Sequence, residues 1–141
     1  MPDGRLRSAI AAAGAAGDWL DVWRIADMLG VEISLLFDSE SHIWVDIGDP
    51  GSVRLHPPAG AVLPFHLWVH THPRDAYWSE TDRRTLASSA RILEQALVLG
   101  HDHFKRACCG KAAPEPRLSL DGPLSMWSDE RISPYRSEVS E

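Results

Sequence analysis

Two histidines one residue apart, His70 and His72, stand just ahead of Ser79 and Asp82, so two imidazoles, a hydroxyl and a carboxylate fall within residues 70–82. Residues 65–69, Phe-His-Leu-Trp-Val, alternate as a half-buried strand does. On a strand, side chains two apart share a face, so His70 and His72 are expected to point together. Pro73 then takes the chain out of the strand. Two neutral imidazoles and one carboxylate suffice to hold a zinc ion and leave its fourth position to water, which is the layout of a catalytic metal centre. Asp82 supplies the third ligand from the first turn of the following helix, where the helix dipole favours a carboxylate. Zinc held in this way lowers the pKa of its bound water from ~16 to about 7.

Chemistry of this kind also needs a carboxylate beside the metal, but not bound to it, to carry a proton to the leaving group. Two glutamates lie upstream. Glu40 falls in a polar turn, Asp-Ser-Glu-Ser, where acidic residues are ordinary. Glu32 opens a hydrophobic run, residues 31–37, where an acidic side chain has no packing reason to be. Glu32 is therefore taken as the general base. It precedes His70 by 38 residues, enough chain for a hairpin and one more strand. Ser79 is placed to donate its hydroxyl to an oxyanion on a carbonyl under attack. Ser-x-x-Asp is also an ordinary capping box, and the two roles are compatible.

The elements that must position these groups can be read in outline. Asp18 is a candidate N-cap for a buried helix over residues 19–29, which Gly30 stops. Residues 31–37 and 42–47 are rich in branched and aromatic side chains and are predicted to pair as a hairpin about the turn at 38–41. Asp49-Pro50-Gly51 makes another turn, and a proline-broken loop over residues 56–60 leads to the histidine strand. After the motif, Leu86, Ala90, Leu93 and Leu97 recur at helical spacing and predict a helix over residues 80–99, ended by Gly100. Residues 104–109 and 117–120 are candidate strands, with a loop at 112–116. The apolar stretch 9–16 behind Arg5 and Arg7 is nearly all Ala and Gly and is interrupted by Asp18, so it is expected to be a surface helix or lead-in and not a signal peptide. The whole is expected to be one α+β domain over residues 1–127 with a polar tail over 128–141.

Composition supports a domain with a genuine core. The chain has 141 residues, 44% of them hydrophobic, and a net charge of −6 that argues against a nucleic-acid surface. No segment approaches the ~18 apolar residues of a membrane span. The two cysteines, Cys108 and Cys109, are adjacent and form neither a disulfide framework nor a zinc knuckle, which points to a reducing cytoplasm. His66 is expected at the core or rim, and His101 and His103 in a solvated turn. Most of the six tryptophans should be core anchors, with Trp68 and Trp78 able to line a substrate groove. The length excludes a TIM-barrel hydrolase, and the His-x-Glu and Pro-Cys-x-x-Cys of zinc deaminases are absent from the sequence.

Taken together, His70-Thr71-His72-Pro73, the spacer, Ser79-Glu80-Thr81-Asp82 and the upstream strand glutamate resemble the signature of the JAMM (MPN+) metalloproteases. The resemblance spans residues 18–100, and the spacer is one residue shorter than is usual in that family. It implies a curved, mixed β-sheet flanked by helices, akin to the cytidine-deaminase architecture. It implies Zn2+ held by His70, His72 and Asp82, with Glu32 as general acid/base and Ser79 stabilising the oxyanion. The implied substrate is the (iso)peptide bond at the C-terminus of a ubiquitin-like protein, whose tail would lie along a sheet edge. Compact relatives that process sulfur-carrier or phage-tail proteins, and non-catalytic MPN scaffolds, mark the alternatives. A chain this short, without the insertions of eukaryotic members, resembles a minimal prokaryotic or phage-type form.

Overall fold

The hydrophobic runs and turns of the sequence become a six-stranded mixed sheet with helices on both faces. The computed structural model describes residues 3–48, 60–110 and 126–135. In chain order the elements are α1 (Asp3–Ala15), α2 (Trp19–Leu29), β1 (Glu32–Phe37), β2 (Ile43–Gly48), β3 (Leu67–Thr71), α3 (Glu80–Ser88), β4 (Gln95–Leu99), β5 (His103–Cys108) and β6 (Ser133–Pro134). The strands lie in the order β2-β1-β3-β4-β5-β6. Among the described residues this is a single α+β domain, as expected. Among them, too, no helix is long and apolar enough to cross a membrane.

Local chemistry sets the early boundaries. Asp18 caps α2, its carboxylate accepting the Asp21 N–H at 3.3 Å. Gly30 ends α2 in the left-handed region at φ 70°, a conformation that costs glycine little. The residues before α2 are more than a lead-in. They form α1, which buries Ile10 and Ala13 and brings Gly14 so near β1 that a Cβ there would lie 2.9 Å from Leu35 Cδ2. Between β1 and β2 the turn is organised by Asp38. One carboxylate oxygen accepts the N–H groups of Glu40 and His42, each at 2.9 Å. The other accepts the Val62 N–H at 3.0 Å and faces His42 Nδ1 at 3.1 Å.

Several expectations are corrected. The strand bearing the histidines is buried on both faces throughout Leu67–Thr71, because it lies in the interior of the sheet between β1 and β4. His66 falls before that strand, exposed, with its ring 3.4 Å from Glu94. The predicted helix over 80–99 is two elements, α3 and β4. The run Ala96-Leu97-Val98-Leu99 is apolar without interruption because β4 pairs in parallel with β3 and is covered on both sides. Over so short a run, helical spacing and a buried strand read alike. The expected turn at 49–51, most of the loop at 56–60, and the loop and strand at 112–120 lie outside the described residues. Part of the segment expected as a tail is laid onto the sheet, with Ser128 buried and Phe104 pairing with Ser133.

The sheet separates two apolar layers. On one face Ile33, Leu35, Val69, Leu97 and Leu99 pack against Ile10, Val22, Trp23 and Ala26 of α1 and α2. On the other, Leu36, Trp68, Ala96, Val98 and Ala107 pack against Leu86 of α3 and against Trp78 and Trp127. The histidines open onto this second face. Among the described strands only β3 and β4 pair in parallel, and a parallel pair requires a crossover connection. Here the crossover carries α3, which brings a helix N-terminus over the C-terminal end of β3.

Candidate metal centre

His70 lies in the register Ser34↔His70↔Val98, fully within the sheet, and is 2% exposed. Its ring stacks on Trp68 at 4.2 Å and 15°, and the Trp68 indole N–H donates to Ser34 Oγ at 2.9 Å. The orientation of the His70 ring is thus set by its strand neighbour and by the strand alongside. His72 follows at the end of β3. Its backbone N–H donates to the Leu99 carbonyl at 2.9 Å, and its carbonyl accepts the Trp23 indole N–H at 2.7 Å. Thr71, between the histidines, is tied to an element far away in sequence: its Oγ1 accepts the Ile33 N–H at 3.0 Å, stitching β3 to the start of β1.

Asp82 arrives from α3. Ser79 caps that helix: its hydroxyl oxygen accepts the Asp82 N–H at 3.0 Å, and Asp82 Oδ2 accepts the Ser79 N–H at 3.0 Å. The capping box turns the carboxylate towards the sheet. There Asp82 Oδ1 lies 3.0 Å from His70 Nε2 and Asp82 Oδ2 lies 3.0 Å from His72 Nε2. Burial pushes the Asp82 carboxyl up, but the imidazoles of His70 and His72 and the Ser79 N–H outweigh it and hold the group well below the usual carboxylate range. The aspartate is therefore an anion at neutral pH, buried between two histidines.

The donor set fits a divalent cation. The three side chains offer ligand atoms that all lie within 4.8 Å of one another. Both ring nitrogens of His70 are buried without a hydrogen-bond partner. An orphaned buried nitrogen is costly. Neutral imidazole nitrogens and a carboxylate are ordinary ligands for zinc and similar ions. A positive ion among the three would take one lone pair from each imidazole and one from the carboxylate. The group can bind a metal ion.

Glu32 lies on the same sheet face, two residues before Ser34, at the end of β1 that Thr71 ties to β3. With His72, Trp23, Ala26, Thr71 and Pro73 it lines one cleft of about 190 Å³. The structure thus brings all five sequence-predicted residues to one end of the sheet: His70, His72 and Asp82 in contact, Ser79 beneath Asp82, and Glu32 in the adjoining cleft. Glu40 is in the turn at the other end of β1. Trp68 and Trp78 are core residues, 1% and 7% exposed. The exposed aromatic at the site is Tyr77, edge-on to the His72 ring at 4.6 Å. Cys108 and Cys109 carry thiols pushed up by burial, which disfavours the reactive thiolate.

Trp23, Thr71 and Tyr77 were not singled out by sequence reasoning. Thr71 could have been, as the residue between the two histidines. No family model matches the chain, and no curated protein and no solved structure matches it either.

Proposed function

We propose that this chain is a zinc metallopeptidase of the JAMM type, hydrolysing the (iso)peptide bond at the C-terminus of a ubiquitin-like protein. The observation that carries this reading is the convergence of His70, His72 and Asp82 on one buried point beside a cleft that holds Glu32. Zinc, when bound, would polarise the substrate carbonyl and acidify water.

The chain's own residues then have separate tasks. Glu32 takes a proton from the attacking water and delivers it to the departing amine, so that water adds across the C–N bond with one group doing both transfers. Ser79 Oγ accepts the Asp82 N–H, which leaves its own O–H proton free to donate to the carbonyl oxygen as that oxygen gains charge. Trp23, Ala26 and Pro73 give the cleft beside Glu32 an apolar wall for the substrate chain.

The test is metal analysis of the purified chain followed by mass spectrometry of ubiquitin-like fusions incubated with it. Bound zinc and cleavage after the C-terminal residue of the ubiquitin-like part are expected. Product masses distinguish ubiquitin-like conjugates from sulfur-carrier or phage-tail substrates. Glu32→Gln should retain zinc and lose turnover by roughly 10²–10⁴-fold, the usual range for a general base. A Glu32→Gln protein with full activity would remove the base assignment, and zinc-free protein without activity would leave a scaffold.

A further inference from the structure

The turn between β4 and β5 gathers a second pair of histidines around an aspartate. His103 Nδ1 lies 2.6 Å from Asp102 Oδ1, and His101 Nε2 lies 3.4 Å from Asp102 Oδ2. By distance alone these residues could also hold a cation. Their protons decide otherwise. The Ala76 N–H donates to His103 Nε2 at 3.0 Å, so that nitrogen must present its lone pair. In a neutral imidazole the proton then sits on Nδ1, where Asp102 accepts it. A cation on Nδ1 would need the opposite tautomer, with one N–H pointing into another at Ala76. Both ring nitrogens of His103 are therefore committed.

What they hold is the short segment that joins His72 to Ser79. Besides Ala76, that segment is held at Arg74, whose carbonyl accepts the His101 N–H at 2.7 Å. It lies so close to the turn that a Cβ on Gly100 would be 2.7 Å from both Ala76 N and Arg74 O. The Tyr135 hydroxyl donates to the Gly100 carbonyl and braces the turn from the other side. The position of this segment sets how far Ser79, and with it Asp82, stands from the histidines of β3.

We propose that His103 is a positioning residue for the metal centre, locked by Asp102 as the Nδ1–H tautomer so that Nε2 holds Ala76 and keeps Asp82 within reach of His70 and His72. The proposal rests on reading those three residues as metal ligands. Outer partners that orient a ligand set are worth about 10–100-fold in metal affinity.

The experiment is zinc binding to the full chain by chelator competition, with nitrogen NMR of the histidine rings. His103→Leu, which cannot accept from Ala76, should weaken zinc by about 10–100-fold. His103→Gln places an amide oxygen near the position of Nε2 and should restore most of that loss. The wild-type His103 ring should show the Nδ1-protonated pattern, a readout that holds even if the leucine variant fails to fold. An Nε2-protonated ring, or His103 resonances shifted by a second equivalent of zinc, overturns the proposal. Unchanged affinity in His103→Leu, or equal losses in the leucine and glutamine variants, overturns the positioning role alone. A wild-type chain that binds no zinc overturns the metal reading and the positioning role with it.

Discussion

Ser79 caps α3 and, in the proposed function, also donates to the oxyanion, two tasks that a single substitution can separate. Its oxygen caps α3, and its proton is free for a substrate oxyanion. Glycine is nearly as good an N-cap as serine, costing only a few tenths of a kcal/mol, whereas alanine costs about 1 kcal/mol. Ser79→Gly should therefore melt close to wild type yet lose roughly 10²–10³-fold in kcat, the usual loss for one oxyanion donor. Thermal melts beside steady-state rates check this, and an unchanged rate would reduce Ser79 to a cap. At this scale the sequence was most legible where the chemistry is local. His70, His72, Ser79 and Asp82 fall within residues 70–82, so strand and helix periodicity alone suggest their grouping. The bonds that Trp23 and Thr71 make were not legible, because their partners lie 49 and 38 residues away. Nothing in a local window says that an indole on α2 will hold the carbonyl of His72.

Of the elements, α2 and the first hairpin were legible because caps and turns mark their ends. Asp18 and Gly30 bound α2, and Asp38-Ser39-Glu40-Ser41 bounds β1. The stretch after Asp82 misled because Leu86, Ala90, Leu93 and Leu97 satisfy helical spacing, while the parallel pairing of β4 with β3 makes the second half a strand. Gly100 consequently ends a strand and not a helix, and its lack of a side chain has a different purpose. It admits the backbone of residues 74–76 against the turn. Gly100→Ala would force backbone to shift and should destabilise the fold by about 1–3 kcal/mol, the range for overpacking. Denaturant unfolding checks the magnitude. A neutral alanine would mean that the segment can move away from the turn without cost.

In the whole molecule, the sheet's order makes the site. Placing β3 between β1 and β4 puts Glu32 of one strand and the two histidines of the next at the same end, under the N-terminus of the crossover helix. The hairpin that holds β1 in place depends on Asp38, whose backbone and His42 bonds outweigh its burial and lower its pKa from 3.8 to about 2. A carboxylate depressed in the folded state stabilises fully above its unfolded pKa and loses that contribution as pH falls through the folded value. Stability should therefore decline between pH 3.8 and about 2, and Asp38→Asn should flatten that part of the curve. Denaturant midpoints across this window provide the check, and an identical slope in the variant would exclude Asp38 as a contributor. By itself the sequence determined the residue types, the capping box, the first hairpin and an α+β class, since each follows from propensity and spacing over a few residues. The tertiary structure alone decided which strands are neighbours, which apolar run is strand and not helix, and that Trp23, Thr71 and His103 hold the site, because pairing and burial join residues that the chain keeps far apart.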